Sequence, residues 1–215
     1  MSIFDLLLIA VFLGTVVVIL TMVALLLQRR FGSAFRLFKA WGLAIAAYFI
    51  VLLGVASVSP QRIVHIGEDL CSDDWCLAVD DVRSSHELGT GGTAATAKGV
   101  FYVVKIRISN RGLGRPQREN GVFVYLRDSQ RRRYDPSLEG QRAFESQNGP
   151  ALPLTSIVEV RQPVETVRVF DLPRDAQDVG LIIGHEGISP DWFVIGSDGS
   201  LLHRTTVIRL SGLRN

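Results

Sequence analysis

The sequence predicts an all-β antiparallel sandwich carried behind a two-helix transmembrane hairpin. Three observations lead there. Two long uncharged runs, Leu6–Leu27 and Ala40–Val58, fall within the first 59 residues. From residue 60 the composition changes to that of a water-facing domain rich in Arg, Asp, Gly and Val. Within that second part, short segments alternate apolar and polar residues with period two, and turn residues separate them.

The two runs hold 22 and 19 residues. At a rise of about 1.5 Å per residue they would extend about 33 Å and about 28 Å, against roughly 30 Å of hydrocarbon. A cleaved signal peptide is the competing reading of the first run. It would carry its positive charge ahead of a shorter apolar stretch. Here only Asp5 is charged ahead of the run, and the basic pair Arg29-Arg30 follows it, so a retained helix is expected. The expected organisation is a hairpin over residues 1–59, with helices at about 6–27 and 40–58 and a loop over 28–39, then a domain over 60–215.

Orientation follows from charge. Arg29, Arg30, Arg36 and Lys39 all lie between the apolar runs. Basic loops are retained in the cytoplasm, which places the loop inside and residues 60–215 outside the membrane. Phe31, Phe35 and Phe38 would lie near the headgroups. Trp41 fits an interfacial anchor and Tyr48 a buried ring. Ala10-x-x-x-Gly14 and Gly42-x-x-x-Ala46 match the small-residue spacing that permits close helix approach. They sit at different depths of an antiparallel hairpin, so they should not pair with each other. Neither run contains an ionisable residue, which argues against an ion or proton path.

Up to Ser59 the chain has four bases and one acid, a net +3; the remaining 19 bases and 20 acids give −1. A near-neutral domain offers no electrostatic footprint for nucleic acid.

Along the second part, Arg62–Ile66 reads as a brief extended run. In Trp75–Val82, the residues Trp75, Leu77, Val79 and Asp81 alternate against Cys76, Ala78, Asp80 and Val82. Val100–Asn110 is the strongest strand, with Tyr102, Val104, Ile106 and Ile108 on one face and Lys105, Arg107 and Ser109 on the other. Val122–Leu126 follows, then a hairpin or polar turn over Asp128–Asp135. Leu154–Val160, Glu165–Phe170 and Val179–Gly184 are further strand candidates. Gly196-Ser-Asp-Gly should turn tightly into Ser200–Leu210. Seven or eight evenly spaced strands, with no convincing long amphipathic helix, point to a sandwich.

The order of motifs also carries a resemblance. Gly67-x-x-x-Cys71 opens it. Tyr102-Val-Val-x-Ile-x-Ile-x-Asn110, Val124-Tyr-Leu-Arg-Asp128 before Tyr134-Asp-Pro136, and Val169-Phe-Asp-Leu-Pro173 follow, and a glycine turn into Leu201-Leu-His203 closes it. Over about Gly67–Leu210 this resembles the telokin-like extracellular domains of bacteria, which are immunoglobulin-like sandwiches related to a secreted mycobacterial antigen. The resemblance implies an immunoglobulin-like fold and an extracytoplasmic setting. It carries over no functional residue. The two-helix anchor and the Cys71-Ser-Asp-Asp-Trp-Cys76 segment depart from it.

Cys71 and Cys76 are the only cysteines. Outside the cytoplasm, a pair this close in sequence is expected to be bonded. A redox pair would more usually show Cys-x-x-Cys at a helix start, and zinc would need ligands beyond the nearby His65. Glu68, Asp69, Asp73, Asp74, Asp80 and Asp81 cluster around the cysteine loop. Solvated acids are the expected reading. Asp73 and Asp74 are weak candidates for calcium, because the spacing is not that of an EF-hand. Gly89-Thr-Gly-Gly-Thr93 is expected to be a flexible inter-strand loop, since no Lys-Ser/Thr follows it. Arg131-Arg132-Arg133 reads as a solvated turn, or else an anionic contact. His65, His86, His185 and His203 lack paired-ligand spacing. No Gly-x-Ser-x-Gly elbow or other nucleophile, base and oxyanion set is visible, so neither enzymatic activity nor a cofactor is expected.

The function expected from all this is non-enzymatic. A membrane hairpin would present a sandwich module for protein–protein contact, either as an accessory subunit of a membrane complex or as a surface-display module. The partners are the lipid bilayer and another membrane or envelope protein. The alternative is an envelope sensor that binds a ligand or calcium.

Overall fold

The computed structural model describes residues 3–72, 74–187, 190–195, 200 and 204–210. Its chain forms two compact units: Met1–Gln61 with Ile188–Thr205, and Arg62–Gly187 with Thr206–Asn215.

The first unit is built on helices α1 (Ile3–Leu27) and α2 (Phe31–Val58), both long and apolar enough to cross a membrane. Neither is a core helix. None of the most apolar stretch of α1 and only 11% of that of α2 is buried by the rest of the chain. The connection is shorter than expected. Residues 28–30 make the turn, with Arg29 at φ 57°, and the expected loop over 28–39 is replaced by helix from Phe31 onward. The reason is composition: Phe31–Lys39 contains no proline or turn pair, and its single glycine costs a helix only about 1 kcal/mol. Arg36 and Lys39 therefore ride on the first turns of α2, where the Lys39 ammonium sits 4.4 Å from the centre of the Phe35 ring.

Trp41 is turned into the hairpin rather than toward an interface. Its indole N–H donates to Thr15 Oγ1 at 3.2 Å, and its ring fills the space beside Gly14, where a Cβ would come within 2.6 Å. Gly14 thus makes room for a ring rather than for a helix backbone. A Cβ on Gly42 would meet nothing within 4 Å. The first unit also takes in chain from beyond the expected boundary, because Phe193 packs with α2. Phe193 sets its ring edge-on to Phe49 at 6.4 Å, and its carbonyl accepts from the Tyr48 hydroxyl.

The second unit is a β-sandwich. One sheet runs in the order β1 (Ile63–Val64), β9 (Val207–Arg209), β8 (Gly180–His185), β5 (Val122–Arg127), β6 (Arg133–Tyr134). The other runs β2 (Leu70–Ser72), β3 (Trp75–Leu88), β4 (Ala95–Asn110), β7 (Val164–Leu172). Both sheets close on one core. Leu77, Val79, Val104, Ile106, Ile108, Phe170 and Leu172 come from one, and Val122, Val124, Leu126, Leu181 and Ile208 from the other. All pairings are antiparallel except β1 with β9, which is parallel.

The alternation foreseen for Trp75–Val82 holds only to Val79. A register shift between Val79 and Asp81 reverses the phase, so Val82 rather than Asp81 packs against the core. Leu154–Val160 is not a strand. It forms isolated bridges, Gln117 to Val158 and Asn110 to Val160, and sends Leu154 and Val158 into the core. The turn expected at residues 196–199 lies outside the described residues.

One helix was not foreseen. α3 (Leu138–Asn148) starts where the Ser137 hydroxyl accepts from Gly140 N–H and ends at Gly149, φ 83°. It lies on β4 and β7, with Ala143 joining Ala95, Phe101 and Val169 in a second small core. Gly140 permits the contact, since a Cβ there would stand 2.7 Å from Val169 Cγ1. The buried face consists of Gly140 and Ala143, too small to register as a hydrophobic period.

Candidate functional site

The cysteines expected to bond do so: Cys71 and Cys76 form a disulfide, and they pair directly across β2 and β3 with Cα atoms 3.9 Å apart. Asp73 lies outside the described residues. Asp74 accepts Arg111 N–H at its carbonyl, and its carboxylate stands against Gly112. The acids around them are not merely solvated. Arg107 joins Asp80 at 3.0 Å and Asp69 at 3.3 Å, and Arg111 also donates to Asp69. Asp81 pairs with Arg83 at 2.8 Å, and Glu68 accepts His65 N–H. Arginines therefore engage three of the six clustered acids: Asp69 and Asp80 through partners distant in sequence, and Asp81 through nearby Arg83. Among the described residues no group of three or more His, Cys, Asp or Glu side chains could hold a metal ion.

The arginine triplet divides in the same way. Arg131 takes the positive-φ position of the turn, φ 64°. Arg132 is inward: it donates to Asp128 at 2.6 Å and to Asp175 at 2.9 Å. Burial alone would push the Asp128 carboxyl up, but hydrogen bonds from the Arg132 side chain and backbone and from Tyr134 outweigh it and hold Asp128 below the usual carboxylate range. Arg133 pairs with Asp135 at 2.6 Å and lies over the ring of Tyr125 at 4.3 Å and that of Phe123 at 5.4 Å. Arg131 and Arg133 are exposed, as a solvated turn requires, whereas Arg132 is half-buried by its ion pair with Asp128.

The Gly89–Thr93 loop is not free of the fold, because the Thr93 and Ser146 hydroxyls meet at 2.9 Å. His86 Nδ1 lies 3.2 Å from Gly99 O, His185 lies 3.5 Å from Glu119, and His203 falls outside the described residues.

The feature that spacing could not show is a cleft of about 630 Å³ between the two sheets, lined by Val122–Val124, Arg133, Asp135, Pro153–Thr155 and Arg168 among others. β5 supplies one wall. Its ladder with β8 has Val122 opposite His185 and Arg127 opposite Gly180, and Glu186 N–H bonds to Gly121 O. By alternation, Phe123 and Tyr125 exchange hydrogen bonds with β8, while Val122, Val124 and Leu126 turn their backbone groups the other way. β6 meets only Leu126 and Arg127 there. Among the described residues, no strand thus lies beside the backbone edge at Val122 and Val124.

β7 supplies the opposite wall through Arg168. Its guanidinium donates to Thr166 Oγ1 at 2.9 Å, Val167 O at 2.7 Å and Leu152 O at 2.9 Å, and no carboxylate among the described residues forms an ion pair with it. Burial pulls its pKa down, and the charge of Glu145 opposes that only in part. Leu152 and Ile157 stay exposed. Arg168 was passed over in the sequence because a polar residue inside an alternating strand reads as a solvent position.

These elements define a β-sandwich domain following two apolar helices, with a half-buried guanidinium in a cleft beside β5. No family model matches the chain, and no curated protein matches it. Solved structures do. A conserved hypothetical protein from Bacillus anthracis is 15% identical, covering 58% of this chain and 92% of its own, with a TM-score of 0.44. A secreted protein from Mycobacterium tuberculosis, MPT63, is 13% identical over 60% of this chain and 92% of its own, TM-score 0.42. An uncharacterised β-sandwich protein from Clostridium difficile is 12% identical over 71% of this chain and 96% of its own, TM-score 0.40. At these identities and TM-scores the likenesses carry no inference about activity.

Proposed function

We propose that this chain is a membrane-anchored, non-enzymatic module of the bacterial envelope, whose immunoglobulin-like sandwich docks another envelope protein as an accessory subunit of a membrane complex. The anchor is the α1–α2 hairpin, retained with its Arg29-Arg30 turn in the cytoplasm and the sandwich outside. The single observation that carries the docking reading is the cleft beside β5. Among the described residues it combines a strand edge at Val122 and Val124 with no strand beside it, the ring of Phe123, and the Arg168 guanidinium with no ion-paired carboxylate. An extended segment of a partner can add to such an edge through backbone hydrogen bonds. A carboxylate on that segment would give Arg168 the counter-charge it lacks.

The test is photocrosslinking in intact cells from a photoreactive residue at Thr155, on the cleft, and at Leu113, which is 91% exposed and away from it. A discrete protein adduct at Thr155, absent from Leu113 and lost with Arg168→Gln, is expected. Adducts that are equal at both positions, or that ignore Arg168→Gln, would remove the reading.

A further inference from the structure

Tyr48 stands near the middle of an otherwise apolar stretch of α2, nine residues beyond Lys39 and ten before Val58. At about 1.5 Å per residue it lies some 15 Å below the far end of the helix. Its hydroxyl donates to the carbonyl of Phe193, and Phe49 packs edge-on against the Phe193 ring. Chain from residues 190–195 therefore lies against α2 well below its end.

What surrounds that level of the hairpin is legible from its other faces. Ile50 is 71% exposed and Val58 81%, and Val51 and Leu53 are also bare. On α1, Phe4, Leu6, Leu7, Ile9 and Phe12 are bare too. A belt of uncovered aliphatic and aromatic surface on this scale marks a membrane or protein contact, and on helices of this length the proposed contact is lipid. A segment packed at the same level shares the same surroundings.

We infer that Trp192–Ile195 is a re-entrant segment, embedded in the half of the bilayer away from the Arg29-Arg30 turn, with Trp192 in contact with acyl chains. This rests on the hairpin spanning the membrane as proposed above. Non-helical backbone is tolerated at membrane depth only where protein covers it or satisfies its polar groups. Both conditions are visible. Val194 and Ile195 are buried, and the Tyr48 hydroxyl satisfies the Phe193 carbonyl. On the helix side, Leu52 and Ala56 are fully buried, unlike the lipid-level faces around them. Trp192, by contrast, remains partly exposed. The inference also explains why a tyrosine interrupts an apolar run: its hydroxyl answers a carbonyl that lipid cannot.

The chain has three tryptophans, Trp41, Trp75 and Trp192, so single-tryptophan variants of the full protein report three sites. In phosphatidylcholine bilayers with brominated acyl chains, the Trp41→Phe, Trp75→Phe variant should lose more than half of its Trp192 emission relative to unbrominated lipid. Trp75, buried in the sandwich core, should be nearly unaffected in the Trp41→Phe, Trp192→Phe variant. Trp41 alone should be quenched because it lies on the hairpin. Quenching of Trp41 without quenching of Trp192 would overturn the inference and leave the membrane reading standing; quenching of neither would overturn both. Should loss of Trp75 unfold the sandwich, Trp192→Cys in the otherwise native chain decides the matter. The new thiol should resist a membrane-impermeant maleimide in sealed vesicles holding the domain outward and react in denaturant. Ready labelling in those vesicles would overturn the inference.

Discussion

Arg132 donates to Asp128 at 2.6 Å, four residues back, and the side chain of that aspartate has no exposed surface. Tyr134 Oη donates to the same carboxylate at 2.9 Å, and Arg132 N–H to its other oxygen at 2.9 Å. This cluster turns the chain from β5 into β6 and so fixes where β6 begins beside Leu126 and Arg127.

The stability of the domain should therefore fall in acid with a contribution from Asp128. Its folded pKa lies below the unfolded value of about 3.9, so the ionised form stabilises the fold above that value. That contribution is lost as pH falls below about 4 toward the depressed folded value. Melting temperatures followed from neutral pH to pH 2 should drop more steeply in the native protein than in Asp128→Asn, whose melting temperature should already be lower at neutral pH. Parallel curves would show that Asp128 contributes nothing to the acid limb.

Reduction should open the Cys71–Cys76 bridge with a gain of two hydrogens in intact mass. The closed loop is short, so removing it should release only about 1–3 kcal/mol of loop-closure constraint. Denaturant unfolding of Cys71→Ser, Cys76→Ser against the native chain measures this, and a larger loss would mean that the bridge also holds the Trp75 strand in place.

Gly140→Ala sets two effects against each other. Replacing a helical glycine gains about 1 kcal/mol of helix propensity. The new methyl, however, would meet Val169 Cγ1 at 2.7 Å and Phe101 Cε1 at 2.9 Å, both on buried side chains of the sheet. Overpacking of that kind costs about 1–3 kcal/mol. The clash should win, giving a net destabilisation in chemical denaturation. A stabilised variant would show that α3 can lift from the sheet at little cost.

The proposed orientation makes a labelling pattern. A cysteine introduced at Arg30 should be shielded from a membrane-impermeant thiol reagent in intact cells, and one at Leu113 should react. The reverse pattern would invert the hairpin, because it would place the basic turn outside.

Features set by local pattern were legible in the sequence. The apolar runs needed no partner to be recognised. The long β4 alternation was readable because period two follows from backbone geometry alone, and the cysteine pair needed only proximity. Helix α2 starting at Phe31 and helix α3 were harder to see, for different reasons. The first was masked by its charges. The second buries only Gly140 and Ala143, so its hydrophobic face is nearly silent.

Relationships across the chain were decided by tertiary structure. Arg107 reaches Asp80 over 27 positions and Arg111 reaches Asp69 over 42, and Tyr48 meets Phe193 over 145. No spacing rule encodes such pairs, because they depend on which strands become neighbours and on where a chain returns. The cleft is of the same kind. β5, β6 and β7 are ordinary strands in sequence, and the open edge exists only because β6 ends after two residues while β7 lies in the other sheet. The sequence by itself determined the hairpin, the alternating strands and the cysteine loop, since each rests on interactions between residues near in the chain. Only packing decided which charges are paired, which edge is bare and which segment lies against α2.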